Sequence, residues 1–561
     1  MMMKNNRLSY FSFLFLGILQ LGLLGCKKKE TPVVQKETFF LLKRVELDGA
    51  VVSSSLTRGV SRTPKIELTF SAPLNKAKVS SSILFGENAV SRFPVVLSYL
   101  KNDSVLVVTP EQPLKGLTKF QFNVTSSLEA ADGSKLNGFF DLVFHTGMDS
   151  TNKFAQLSDS QLLDTIQRRT FSYFWEFGHP VSGLARERNS SGDLVTSGGS
   201  GFGIMTIPVA IERKFITKTE GLDRMKKIVG FLKNTAQTFH GAFPHWLNGK
   251  SGVVIPFSTK DNGADLVETS YLIAGLLTAR EYFNGVNPDE TTLRNDITSI
   301  WEAVEWSWFR KNAENVLYWH WSPNYGWDMN MRIQGWNECL ITYILAAASP
   351  TYGIPRNVYE QGFARNGAQV SNQNHYGFPL PLGPSMGGPL FWSHYSFLGV
   401  NPIGLRDAYA SYEQQVTNHT KINRAYCVEN PKQFTGYGNA CWGLTASDIP
   451  NGYSANAPGN DIGVITPTAA LSSMPFTPVE SMEALRFFYY KLGDKIWGEY
   501  GFVDAFSLHD LWFANSTLAI DQGPIVIMIE NHRSQLIWNL FTKSAEIKGG
   551  LRTLGFSAPY L

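Results

Sequence analysis

Two segments of this chain, Tyr271–Ala279 (YLIAGLLTA) and Cys339–Ala348 (CLITYILAAA), are apolar on every side of a helix. A helix without a polar stripe has to be enclosed by other elements on all faces. Each run is preceded by acids: Asp261, Asp265 and Glu268 before the first, Glu338 before the second. Buried helices with acidic beginnings aim carboxylates into an interior or a cavity, where an unpaired charge is costly. Asp265 and Glu268 also fit a capping box, with an acidic N-cap and Glu at the third helical position. That reading leaves Asp261 and Glu338 unexplained. A third case, Asp521-Gln522-Gly523-Pro524, places an acid before an apolar run with Pro in a first turn. N-capping is the alternative there, and Glu530 and His532 beyond it fit a helix end.

Such helices dominate from about residue 155. Ser158 and Gln161 form a capping box ahead of an apolar stripe. Long Gly/Pro/Asn/Trp-rich loops separate the helices, and residues 350–402, with His394 among them, form a loop region long enough to carry function. Successive helix pairs over some 400 residues suit an (α/α)6 barrel, a toroid whose inner helices bring their ends to one mouth. Residues 41–147 differ: short alternating runs such as Lys65–Phe70 and Phe120–Val124 sit between turn signals and predict a small Ig-like β-sandwich. The expected fold is therefore mainly α, a sandwich at 41–147 followed by a barrel at 155–561.

The beginning of the chain reads as a lipoprotein signal peptide, residues 1–25. Lys4 and Arg7 precede the apolar Leu8–Leu24, and Leu23-Leu24-Gly25-Cys26 resembles a lipobox. Cys26 would carry the lipid, with a polar tether to about residue 40. The expected location is the outer membrane, facing the periplasm or the cell surface. Without Lys4 and Arg7 the net charge falls from +3 to +1, which speaks against a nucleic-acid partner. Cys427 and Cys441 flank a Gly/Asn-rich loop, so a disulfide and two free thiols both fit. Cys339 reads as a small buried residue, and no Cys/His spacing suggests zinc.

Seven of the 14 tryptophans fall between residues 301 and 336. Trp301, Trp306 and Trp308 lie in a helical pattern and read as core. Trp319, Trp321, Trp327 and Trp336 lie in loop texture beside Asp328 and Arg332, and exposed rings near acids suit stacking on sugars. Hydrolysis of a glycosidic bond needs one acid to protonate the leaving oxygen and one base to activate water. The carboxylates supply that pair. A sugar-capture protein that uses the aromatic rings alone, with its acids as helix caps, is the non-enzymatic alternative.

Residues 197–213 (SGGSGFGIMTIPVAIER), DNGADLVETS, GWNE and AIDQGP, in this order, resemble the bacterial glucoamylase-like family that includes endo-β-1,2-glucanases, glycoside hydrolase family 144. Residues 41–147 resemble bacterial Ig-like modules. The first resemblance implies the (α/α)6 barrel and hydrolysis of β-1,2-glucan with inversion, giving sophorose or short sophoro-oligosaccharides, by a monomer that uses no metal or cofactor. It implies Glu338 as acid and Asp521 or Asp265 as base. Asp261, Glu268, Trp327, Asp328, Arg332, Trp336 and His394 are then expected to contact substrate. Another glucan linkage, or a lyase on the same fold, is the enzymatic alternative.

Overall fold

The structure, a computed structural model, describes residues 38–54, 56–88 and 91–561. The expected signal peptide, Cys26 and most of the tether lie outside these residues. Among the described residues no helix is long and apolar enough to cross a membrane.

The N-terminal module is a sandwich of two sheets. Its strands are β1 (Leu42–Leu47), β2 (Ala50–Val51), β3 (Leu56–Val60), β4 (Ile66–Phe70), β5 (Ile83–Gly86), β6 (Val95–Leu100), β7 (Val105–Pro110), β8 (Lys119–Val124) and β9 (Phe140–Thr146). One sheet has the order β2-β1-β4-β7-β6, the other β3-β9-β8-β5. Alternation drives the pairing: in IleGluLeuThrPhe of β4, Ile66, Leu68 and Phe70 are buried and the residues between them are not. Phe85, Phe120, Phe122 and Phe144 fill the space between the sheets. Arg58 reaches across to the main domain, where its Nε–H donates to the His509 carbonyl at 2.9 Å.

The main domain is a double ring of helices. In chain order these include α1 (Asp159–Trp175), α2 (Ser197–Glu212), α3 (Lys218–Asn234), α4 (Leu266–Tyr282), α5 (Pro288–Glu302), α6 (Leu340–Ala348), α7 (Tyr412–Glu429), α8 (Pro467–Leu471), α9 (Pro478–Arg486) and α10 (Ala519–Ser534). The capping box expected at Ser158 and Gln161 opens α1. The inner positions belong to α2, α4, α6, the 3-10 turns over 390–397, α8 and α10. Inner helices are apolar all round because both faces are covered: Ser197–Ala210 of α2 and Leu266–Arg280 of α4 are buried without a break. These two helices approach at Gly201 and Gly275, where a side chain on either would strike the other's backbone. α10 packs on α2 and α8, and α6 on α4 and the turn at 395–397. Arg213 at the end of α2 grips buried Glu530 of α10 with two hydrogen bonds of 2.7 Å.

Several expectations for single residues are corrected here. His394 is buried and its Nε2 lies 3.0 Å from Ser473 Oγ, just after α8, so it ties the 3-10 turns into the ring. Trp336 is buried against Phe397 and Tyr412. Of the two states left open for Cys427 and Cys441, the structure has buried free thiols.

Candidate active site

The beginnings of the inner helices gather around one cavity of about 350 Å³, lined among others by Glu187, Arg188, Thr196, His245, Glu268 and Tyr395. Trp246, Phe257, Phe391 and Tyr453 supply its aromatic walls, and Leu518 and Ile520 bring in the start of α10. Two groups of carboxylates adjoin it through the lining residues Glu268 and Glu187, with Glu338 nearby.

The first group stands at the start of α4. Asp265 is the N-cap: its Oδ1 accepts the N–H groups of Val267 (3.0 Å) and Glu268 (2.9 Å). Its Oδ2 lies 3.1 Å from His245 Nδ1. The capping box is only half made, because Glu268 does not return to the N-cap. Its Oε2 instead accepts the Gly198 N–H at 2.7 Å and the Thr196 hydroxyl at 3.2 Å, at the start of α2. A side chain at position 198 would run into this carboxylate. Asp261 lies outside the helix, in the bend before it, with His320 Nε2 3.5 Å from its Oδ2. No hydrogen-bond donor reaches Asp261 Oδ1, which is buried.

Electrostatics sort these groups. Burial alone would lower the pKa of His245, but the charges of Glu268, Asp265 and Asp261 hold it up at about 9. Burial would raise Asp265, yet the His245 hydrogen bond and the neighbouring histidines and amides keep it below the usual carboxylate range. Asp261 is pushed up to about 7, by burial and then by the Asp265 charge. Burial also raises Glu268 and lowers His320. Among the described residues, His245, Asp261 and Asp265 are the group whose donor atoms lie close enough together, within 4.8 Å, for a cation to bridge. The His245–Asp265 ion pair already balances charge there.

Glu338 sits in the turn before α6, two residues short of the helix. Asn337 Oδ1 accepts the Cys339 N–H at 3.0 Å, and the Ser396 hydroxyl donates to the Glu338 carbonyl. Ser396 Oγ also accepts the Ile341 N–H at 3.0 Å, so a neighbouring element caps α6. Glu338 is half-buried. Burial, and then the charges of Asp265 and Glu268, push its pKa to about 7.

The second group stands at α10. Asp521 is the third residue of that helix, not its N-cap, which is Leu518; Pro524 lies inside the helix. Asp521 is buried next to Asp504, and Asp448 and Glu187 add their charges. Arg188 is the cation of this group: Nη1 lies 3.0 Å from Asp448 Oδ2 and Nε 2.8 Å from Glu187 Oε2. Burial pushes Asp504 up to about 7 and Asp521 well above its ordinary value. Burial raises the Tyr395 hydroxyl, and the charges of Asp521, Glu338 and Glu268 add to it, so both groups and Glu338 stand near this cavity-lining residue.

Three expected substrate contacts lie elsewhere. Asp328 pairs with Lys260 at 3.4 Å, both well exposed, and Arg332 pairs with Glu314 at 2.9 Å and with the Tyr318 hydroxyl. Trp327 packs on Trp308, ring centroids 4.8 Å apart, within a cluster of Phe309 and Tyr318. None of the three lines the cavity or joins the two carboxylate groups. Asp261, Asp265, Glu338 and Asp521 do not line the cavity either, but stand with the lining residues His245, Glu268 and Tyr395. Trp301 and Trp306 are core, as expected. Sequence reasoning missed His245, His320, Glu187, Arg188, Asp448 and Asp504, and the walls Trp246, Phe257, Phe391, Tyr395 and Tyr453. One signal was available for Asp504, an acid alone among Phe502, Val503, Ala505 and Phe506.

Residues 330–545 match the family described as putative glucoamylase, and residues 50–146 match the bacterial Ig-like domain. A putative glucoamylase structure from Bacteroides uniformis is 55% identical; the match covers 73% of this chain and 100% of that one, with a TM-score of 0.72. The chain belongs to the glucoamylase-like family. The endo-β-1,2-glucanase of Chitinophaga pinensis, solved with sophorotriose and glucose, is 53% identical over 72% of this chain and 100% of its own, with a TM-score of 0.71. The exo-β-1,2-glucooligosaccharide sophorohydrolase of Parabacteroides distasonis is 44% identical over 420 residues, 71% of this chain. The chain spans 58% of that curated relative's length. Glu338, Asp448, Asp504 and Asp521 all fall within the stretch that matches the glucoamylase-like family.

Proposed function

We propose that this protein is an exported, lipid-anchored glycoside hydrolase that cleaves β-1,2-linked glucan with inversion, releasing sophorose or short sophoro-oligosaccharides. The observation that carries this reading is Glu338: a carboxyl whose charge bears on Tyr395 of the aromatic-lined cavity, held protonated up to about pH 7, near Asp265, which stays ionised. A general acid needs such a pKa. The two relatives above, named for β-1,2-glucan and its oligosaccharides, support the substrate class.

Glu338 donates its proton to the glycosidic oxygen as the anomeric C–O bond breaks, and the bonding electrons leave with that oxygen. A water on the opposite face forms the new C–O bond and gives its proton to Asp521. Asp521 is favoured over Asp265 as base because both Asp265 oxygens are engaged, one by the helix N–H groups and one by His245. Asp265 then holds His245, and Asp261 and Glu268 bind sugar hydroxyls. Trp246, Phe257 and Tyr453 serve as stacking faces. A capture protein would need its acids only as caps, a role that Glu338 and Asp521 do not fill. Lipid attachment at Cys26 would hold the enzyme on the outer membrane, with the Ig-like module as spacer.

The test is to incubate the full chain with glucans of each linkage and follow reducing ends and the first anomer released. New reducing ends from β-1,2-glucan, appearing first as the α-anomer, are expected. Release from another linkage only, or a β-anomer first, contradicts the reading.

A further inference from the structure

Asp504 lies between Ile496–Phe502 and the hairpin 506–513, away from the helix that carries Asp521, yet the two side chains meet. Asp504 Oδ1 and Asp521 Oδ2 are both sealed from solvent, and no N–H or O–H of any other group reaches either of them. The two carboxyl groups stand close enough for each to act on the other's titration, the influence that a hydrogen bond between them would exert. Two buried carboxyl groups this close, with no other donor on the facing oxygens, require a proton between them, because two bare anions there would repel with nothing to screen them.

The rest of the setting fixes Asp504. Its Oδ2 accepts the Asp448 N–H at 2.6 Å, and its own N–H donates to the Ser516 carbonyl at 2.9 Å. The Ser516 hydroxyl donates to Asp448 Oδ2 at 2.6 Å, and Arg188 holds the same carboxylate. On the helix side, the Thr468 hydroxyl donates to the Asp521 carbonyl at 2.8 Å. The charged and titratable groups facing the pair are Asp448, Glu187, Arg188, Tyr453 and Tyr395. Arg188 is hydrogen-bonded to Glu187 and Asp448 and reaches Asp504 only through its more distant charge, too little to offset the burial that raises Asp504.

We propose that Asp504 and Asp521 work as one unit, a carboxyl–carboxylate pair sharing a single proton, with Asp504 the positioning residue that sets the basicity of Asp521. This rests on Asp521 being the base. In the step, the attacking water gives its proton to the pair through Asp521 while the shared proton stays within the pair, which goes from one proton to two. Glu338 loses its own proton to the leaving oxygen, and solvent restores both. The shared hydrogen bond stabilises the singly charged pair, so the pair stays basic without becoming protonated too early as pH falls. The hydrogen bond within the pair lowers the step at which the pair takes its second proton, as it does for Asp504. A lone buried Asp521 would lack it, so burial alone would hold its pKa above that step.

The test is the acid limb of kcat against pH for wild type, Asp504→Ala and Asp504→Asn, with folding checked by thermal unfolding. Asp504→Ala is expected to move the limb upward by a pH unit or more, about a tenfold loss of rate on the acid side. Asp504→Asn, whose amide can donate to Asp521 and accept from Asp448, is expected to return the limb most of the way. A purely structural role for Asp504 would lower the rate without moving the limb. A folded Asp504→Ala with an unmoved limb, or an Asn variant displaced as far as the Ala variant, overturns the proposal. Should the Ala variant not fold, carbon-13 NMR of the wild-type aspartate carboxyls decides. Two resonances titrating together, with one proton kept above neutrality, support the pair; two independent titrations in the ordinary carboxylate range overturn it. Asp521→Asn at near-wild-type rate would instead overturn the base assignment, a separate outcome.

Discussion

The two carboxylate groups around the cavity solve one problem with different counter-charges. At α4 three acids sit with His245 and His320, and the His245 cation keeps Asp265 ionised while burial raises Asp261 and Glu268. At α10 four acids share Arg188, which is engaged by Glu187 and Asp448, so Asp504 and Asp521 retain a proton. Counting acids therefore does not give the charge of a site; what decides it is which cation reaches which oxygen. Glu338, without a cation of its own, feels Asp265 and Glu268 and stays protonated up to about neutrality. At α4 Asp265 holds its charge beside the His245 cation, whereas Glu338 is pushed toward protonation as the acid. The Asp504–Asp521 pair shares one proton, which leaves it one carboxylate to act as base.

Substitutions sharpen or break this contrast. The largest effect is expected for Glu338→Gln, which keeps shape but cannot donate: kcat should fall by about 10²–10⁴-fold with binding retained, read by steady-state kinetics and calorimetry. Next comes Asp265→Ala, which removes the helix cap and leaves the His245 cation without its closest partner. A loss of roughly 3–5 kcal/mol of stability is expected in denaturant unfolding. If the loss is under 1 kcal/mol, the α4 group is not the buried ion-pair network described here.

Third is the pH dependence of stability. The folded pKa of His245 is held at about 9, above its unfolded value, so its contribution is complete below about pH 6.5 and is lost as pH rises through 9. In wild type this contribution is on the order of 3 kcal/mol, and in His245→Gln the slope between pH 7 and 9 should flatten. Trp246→Ala should raise KM by up to about tenfold with little change in kcat, as expected for a stacking face worth about 1 kcal/mol. Smallest is Asp328→Asn: an exposed pair with Lys260, outside the cavity, should change stability by less than about 0.5 kcal/mol and leave KM unchanged.

How much of this could be read from the sequence follows from the range of the forces involved. The burial of α4 and α6 was legible because an all-apolar helix has one kind of environment, and the acids before them stood out against it. The sandwich was legible from period-two alternation in segments such as β4. The cavity walls were not: Tyr395 of the 3-10 turns, for example, packs on Phe202 and Tyr271, more than a hundred residues away in the chain. Trp327 and Trp336 showed the limit of local texture. Gly, Asn and Pro around them suggested exposure, but Trp336 packs into the core against Phe397 and Tyr412, residues no nearby pattern could indicate. Asp521 looked like an N-cap because Pro524 follows it, whereas the helix starts two residues earlier. Asp504 was missed because its partner lies on another element.

The most direct check is kcat on β-1,2-glucan from pH 4 to 9 for wild type and Glu338→Gln. The wild-type rate should fall above about pH 7 with a single ionisation, and the variant, slower throughout, should lack that alkaline limb. A variant that binds substrate and turns over near the wild-type rate with the same alkaline limb would contradict the account.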